Sequence, residues 1–270
     1  AIELPEVTII DPKEDAEEER RIQFGKEFFE RRKRKGITEY EAIDLMRARN
    51  HFGAMLVDQG LADAMITGLT RSYRSALKPL LQIIGVEKDV NLVAGMYILN
   101  TKRGPLFLAD TTVNLNPNAA QIAEITQNVA KTIRKLKITP RIALLSYSNF
   151  GSSPGDDAEK MGKAATILHE TNPSLIVDGE VQANFALNSD LMNEKFPFST
   201  LANKDVNTLI FPNLSSGNIA YKLLQQMTDG DAIGPILIGL KKAIHVVQLG
   251  SSVREIVNMV KIAVIDAQNK

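Results

Sequence analysis

From residue 119 onward, the spacing of apolar positions switches repeatedly between two periods. Residues 119–136, 156–170, 217–228 and 253–267 carry apolar side chains at helical intervals and predict amphipathic helices. Between them, the short apolar runs at 141–147, 174–177, 208–211 and 235–240 predict buried strands. Short buried strands alternating with amphipathic helices mean parallel strands joined by crossover helices, hence an α/β fold. The first part of the chain is less regular. Residues 7–10 are β-branched and predict a buried strand ending at Asp11-Pro12. Residues 13–35, rich in Glu, Arg and Lys, predict a solvated helix stopped by Gly36, and Thr38-Glu39-Tyr40-Glu41 is a capping-box pattern opening a helix toward Asn50. A further helix is expected over 51–59, a short buried strand over 64–67 and a helix over 71–84. Residues 91–99 and 105–109 are spaced as paired strands around Thr101-Lys102-Arg103-Gly104.

Composition narrows the chemistry. The chain has 270 residues, 44% of them hydrophobic, enough for a sizeable core. Lys+Arg 32 balances Asp+Glu 32, which argues against nucleic acid or an anionic membrane as a whole-surface partner but leaves room for a local basic site. The absence of cysteine excludes disulfides, thiolate-ligated metals and thiol nucleophiles. The three histidines, His51, His169 and His245, lack metal-ligand spacing and read as surface or packing residues, so no metal site is expected. No apolar run reaches the roughly 18–20 residues of a membrane span. With no signal peptide, a cytoplasmic setting is the expectation. The start without Met, directly in a strand-like run, reads as a piece excised from a longer polypeptide.

In open α/β sheets, ligands bind beyond the carboxyl ends of the strands. Four loops there are small and polar. The first, Ser146-Tyr147-Ser148-Asn149-Phe150-Gly151-Ser152-Ser153, is either an anion cradle at a helix N-terminus or an ordinary βα loop capped by Asp156. The second, Asp178-Gly179-Glu180, offers two carboxylates for acid–base or metal chemistry, or a turn followed by a first-turn Glu. The third runs from Phe211-Pro212-Asn213 to Gly217-Asn218, and the fourth is Leu249-Gly250-Ser251-Ser252. Together they suggest a phosphate-bearing ligand. The basic run Arg31-Arg32-Lys33-Arg34-Lys35 is a solvated helix end, a poor nucleic-acid site, or a site for a small polyphosphorylated ligand.

Taken in order, several stretches carry a family resemblance. They are Glu30-Arg31-Arg32-Lys33-Arg34-Lys35-Gly36-Ile37-Thr38, Ala62-Asp63-Ala64-Met65-Ile66-Thr67-Gly68, Asn114-Leu115-Asn116-Pro117, Arg141-Ile142-Ala143-Leu144-Leu145-Ser146-Tyr147-Ser148 and Asp178-Gly179-Glu180-Val181-Gln182. Leu209-Ile210-Phe211-Pro212-Asn213, Gly217-Asn218-Ile219-Ala220-Tyr221-Lys222 and Gly234-Pro235-Ile236 complete the series. It resembles the phosphate acetyltransferase (phosphotransacetylase) family over nearly the whole chain. Asn50-His51-Phe52-Gly53-Ala54-Met55 and Gly68-Leu69-Thr70-Arg71-Ser72-Tyr73 look like the domain fused C-terminally to bacterial NADP-dependent malic enzymes.

The resemblance implies two α/β lobes with largely parallel sheets and an interlobe cleft, an isocitrate dehydrogenase-like arrangement that is usually dimeric. The first lobe would comprise residues 1–87 plus 246–270, without the family's opening strand–helix–strand portion, and the second 88–245. Family members move an acetyl group between coenzyme A and phosphate, with a carboxylate as base for the thiol and arginines on the anionic group. Here the base position is Glu255, while the family's Ser and Arg are Gln248 and Leu249, and a further Arg is Gln226. Loss of such donors typically costs about 10²–10³-fold per group. The CoA-contacting positions are kept as Arg32 and, conservatively, Lys78. Ser146, Ser148, Gly151, Ser152, Asn218, Gly250 and Ser251 would line the phosphate or acetyl pocket.

The resulting expectation is a catalytically degenerate domain that binds acetyl-CoA or CoA, regulates a fused malic enzyme domain and aids oligomerisation. NADP and a divalent metal would belong to that other domain. The alternatives are an active acyltransferase that recruits Arg71 or Arg74 to phosphate, and a purely structural assembly domain.

Overall fold

The computed structural model describes residues 7–227 and 232–270. The expected helix over 13–35 forms as α1 (Glu18–Arg32), with a 3-10 turn on either side, and Gly36 ends it in the left-handed conformation. The segment before α1 folds back on it, because the buried Arg21 guanidinium donates to the Pro12 carbonyl (2.8 Å) and the Glu14 carbonyl (2.5 Å). The expected strand at 7–10 is absent: these residues are irregular, and Ile9 is 90% exposed. A β-branched run becomes a strand only where a neighbour accepts its ladder hydrogen bonds, and no described strand lies beside it.

The capping box at Thr38 and Glu41 opens α2 (Glu39–Leu45). The helix does not reach Asn50. Met46, Arg47 and Ala48 each donate to the carbonyl three residues back, which tightens the chain into a corner before α3 (Arg49–Asp58). The corner buries Met46 and Phe52 in the same core as Phe24 and Phe28. β1 (Ala64–Gly68) and α4 (Tyr73–Ile83, capped by Ser72) follow. β1 is half-buried rather than buried.

Next come β2 (Ala94–Thr101), β3 (Gly104–Ala109), α5 (Ala119–Lys135), β4 (Arg141–Leu145), α6 (Asp156–Thr171) and β5 (Ile176–Val181). They are followed by the short α7 (Ala183–Ala186) and α8 (Ser189–Lys195), then β6 (Thr208–Ile210), α9 (Leu214–Met227) and β7 (Ala232–Ile238). The expected helix end at Thr228 lies outside the described residues. A six-stranded sheet has the order β5-β4-β6-β3-β2-β7. β5, β4, β6 and β3 are mutually parallel, and β2 runs antiparallel to both β3 and β7. The chain then forms β8 (Ala243–Val247), which pairs in parallel with β1 as a separate two-stranded sheet. The final helix is α10 (Val253–Gln268).

Three apolar clusters hold these layers. α5, α6 and α10 cover one face of the large sheet through Ile122, Val129, Met161, Leu168 and Met259. The other face packs Tyr97, Leu108, Met192, Leu201 and Tyr221. The third joins α1–α4 to the small sheet. Ile219, Leu223 and Met227 on α9, and Val253, Val257, Val260 and Val264 on α10, remain exposed at helical spacing. Among the described residues, no helix is long and apolar enough to cross a membrane.

Candidate functional site

The basic run divides according to the geometry of α1. Arg31 binds Asp58 (2.6 Å) and the Ile83 carbonyl (3.3 Å), and Lys33 binds Glu30 (2.5 Å). Phe28 and Arg32, one turn apart on α1, and Lys35, in the 3-10 turn that follows, line a common wall opposite α4. From α4, Ser75, Lys78, Pro79 and Gln82 supply the facing stripe, and α2 adds Tyr40, Glu41 and Asp44. Between them lies a groove of about 540 Å³. Arg32, Lys35 and Lys78 all line it, and none has an anionic partner among the described residues. Of the two carboxylates, Glu41 is held in the Thr38 capping box, which lowers its pKa, and Asp44 lies 3.7 Å from Arg47. With three cations against two carboxylates, one of them beside Arg47, the groove presents an excess of positive charge over an apolar floor of Phe28, Ile37 and Pro79.

His51 also lines this groove, in addition to packing edge-on against Phe28 (5.9 Å). Burial first, and the Lys78 ammonium second, push its pKa down to about 4, so the ring is neutral at pH 7. Of the other two histidines, His169 is exposed and His245 is buried. His169 bonds the Val177 carbonyl (2.9 Å), and the buried His245 accepts from the Leu237 N–H (3.2 Å).

A second cluster sits where α9 and α10 approach one another. Tyr221 stacks on Tyr97 (4.1 Å) and shares a hydrogen bond with Gln248. Glu255 accepts from the Ser252 N–H (2.6 Å) as the third residue of a capping box. Its other oxygen accepts from Gln225 Nε2 (3.4 Å); Gln226, the position singled out by sequence, is exposed instead. Burial, then the neighbouring Tyr221, Tyr73 and Glu255, raise the Tyr97 pKa. Leu249 is 65% exposed and offers no charge. Gly250 is exposed, and Ser251 donates its N–H to the Gln248 carbonyl (3.2 Å). Asn218 donates to the Thr111 carbonyl (3.1 Å), which ties α9 to the loop after β3.

The serine loop after β4 cradles an anion, but the anion is the chain's own Glu180. Glu180 Oε1 accepts from Ser148 Oγ (2.9 Å) and the Gly151 N–H (2.6 Å). Ser152 Oγ lies 3.4 Å from Ser148 Oγ, and Ser146 Oγ accepts from the Ser148 N–H (3.4 Å). Gly162 of α6 permits this approach, since a side chain there would meet Glu180 Oε2 at 2.8 Å. Asp178 and Glu180 lie within β5 rather than in a turn, and Asp178 binds Ser199 Oγ (2.8 Å) and the Thr200 N–H (2.9 Å). Both carboxylates are thus engaged in fixing loops. Among the described residues, no group of three or more His, Asp and Glu is placed to hold a metal.

Sequence reasoning did not identify Asp110. This buried carboxylate follows β3 and accepts from the N–H groups of Gly95, Thr112, Val113 and Asn114 and from Asn114 Nδ2. Its signal was an acid at a strand's carboxyl end followed by Thr111-Thr112, the pattern of a side chain that caps its own loop.

The sequence model "Phosphate acetyl/butaryl transferase" matches residues 1–264. The NADP-dependent malic enzyme of Haemophilus influenzae is 40% identical over 91% of this chain but only 32% of its own length. The phosphate acetyltransferase of Clostridium acetobutylicum is 35% identical over 99% of this chain and 81% of its own. In structure, the phosphotransacetylase of Streptococcus pyogenes superposes with a TM-score of 0.87 at 36% identity, covering 98% of this chain and 78% of that one. The chain spans about a third of the length of the malic enzymes it matches.

Proposed function

This chain belongs to the phosphate acetyl/butaryl transferase family, and from that premise we propose that it is a binding rather than a transferring member, a CoA-responsive domain of a malic enzyme. The observation that carries the reading is the groove with Arg32, Lys35 and Lys78 left without partners. Unpaired cations held side by side repel one another and gain when a polyanion arrives; the phosphates of CoA or acetyl-CoA are such a polyanion. The apolar floor suits the remainder of a nucleotide.

The positions aligned with the family's reaction centre support the negative half of the proposal. Gln248 and Glu255 are spent on Tyr221, Gln225 and the Ser252 N–H, and Leu249 cannot replace a bidentate guanidinium. The domain would pass its occupancy to a fused malic enzyme domain, where NADP, a metal ion and the oxidative decarboxylation of malate would reside. The exposed apolar stripe Ile219, Leu223 and Met227 supports self-association as its second role.

Calorimetry with acetyl-CoA, together with an assay for acetyl phosphate, tests both halves. Binding in the micromolar range without turnover is expected. Turnover at the rate of a true transferase overturns the reading in favour of the active enzyme, which the 35% identity to a phosphate acetyltransferase over 99% of the chain favours. No heat at millimolar ligand leaves only an assembly role.

A further inference from the structure

Among the described residues lining the groove, His51 is the one histidine. Its Nδ1 is buried without a hydrogen-bond partner, and the residue lines the groove. Phe28 and Lys78 act on the ring directly, and the remaining charged groups line the same groove. α1 and the turn after it contribute Phe28, Arg32 and Lys35; α4 contributes Lys78; α2 contributes Tyr40, Glu41 and Asp44. Three of these are unpaired cations, and of the two carboxylates one is engaged in a helix cap. An imidazolium here is disfavoured by burial and by the Lys78 ammonium, whereas phosphates beside it would favour it.

We infer that His51 takes up a proton when a phosphate-bearing ligand fills the groove, so that the groove binds its ligand more tightly in mild acid. The inference rests on the groove being the ligand site and deepens that reading by adding a regulation to it. Negative charge beside the ring favours its protonated form, against the burial that disfavours it. The free ring titrates at about 4. An anion within about 4–6 Å raises a histidine by roughly 1–3 pH units. A rise of about 2 units would make affinity at pH 5.5 exceed that at pH 7.5 by on the order of fourfold. A malic enzyme carrying this domain would sense CoA and acidity jointly.

The probe is 3′-dephospho-CoA. Its diphosphate does not titrate in this range, whereas a phosphate monoester has a second pKa of about 6. Calorimetry at pH 5.5 in two buffers of different ionisation heat counts the protons taken up. The wild-type chain is expected to take up a substantial fraction of one proton at pH 5.5 and almost none at pH 7.5. His51→Gln is expected to bind at both values with no uptake. NMR titration of the wild-type imidazoles, with the His51 signal assigned from the variant, reads the same shift directly and decides the matter should the variant fold or bind poorly. Binding without uptake, uptake that persists in His51→Gln, or a His51 signal unmoved by ligand overturns the proton linkage while leaving the groove as the binding site. Failure of wild-type protein to bind the probe or CoA removes both.

Discussion

The five basic residues at the end of α1 differ in what they touch, and a charge scan along them tests the binding proposal residue by residue. Arg32 is half-buried and forks toward the groove; Lys35 is exposed at its rim; Arg31 and Lys33 are paired; Arg34 is exposed and outside the lining. A charge-assisted hydrogen bond to phosphate contributes about 1.5–3 kcal/mol, so Arg32→Ala should weaken acetyl-CoA binding by roughly 10–100-fold. Lys35 and Lys78, more exposed and screened by salt, should each cost about 3–10-fold when changed to Ala. Lys33→Ala and Arg34→Ala should stay within about twofold, although they remove the same formal charge. Calorimetry at constant ionic strength measures all five variants. Equal losses at Arg34 and Arg32 would show that the run acts as a diffuse positive cloud, and the groove would lose its claim to be the site.

Other perturbations address the remaining centres. Gln248→Ser with Leu249→Arg releases the tie to Tyr221 and introduces a guanidinium, so acetyl phosphate formation should rise at least tenfold over the wild-type background, on a scale of about 10²–10³ per added donor; no rise counts against the proposal that these positions limit transfer. Asp110→Ala strands four backbone N–H groups and should cost about 3–5 kcal/mol in urea unfolding, whereas a loss below 1 kcal/mol would mean the loop finds other partners. His245, buried with its pKa lowered to about 4, penalises folding in acid: above pH 6.5 it contributes no penalty, and between 6.5 and 4 the unfolded chain gains a proton that the folded chain refuses. Stability should therefore fall by roughly 3 kcal/mol across that window, and His245→Gln should flatten this part of the profile.

What could be read from the sequence follows how local the cause is. The capping box at Thr38 and Glu41 and the hairpin around residues 101–104 were legible because their partners lie within a few residues. β8 was not anticipated: Ala243–Val247 follows β7 after four residues with no turn signature, and only its distant partner β1 makes it a strand. The misread strand at 7–10 is the converse, a strong local preference with nothing to pair against. Arg32 and Lys78, 46 positions apart, were named through the family resemblance, and the packing of α1 against α4 is what sets them on one groove. The serine loop was legible as a cradle for negative charge but not as one already filled, because Glu180 reaches it from the neighbouring strand β5.

Arg31 stands next to the side chain that would hold the ligand, yet it faces the other way and rivets α1 to both α3 and α4 through Asp58 and the Ile83 carbonyl. The two walls are therefore spaced before any guest arrives, and entry requires little rearrangement of the host. Under the proposed binding role, such a groove would lose little freedom on filling, and any signal would leave by a shift of whole helices rather than by the closing of a loose mouth.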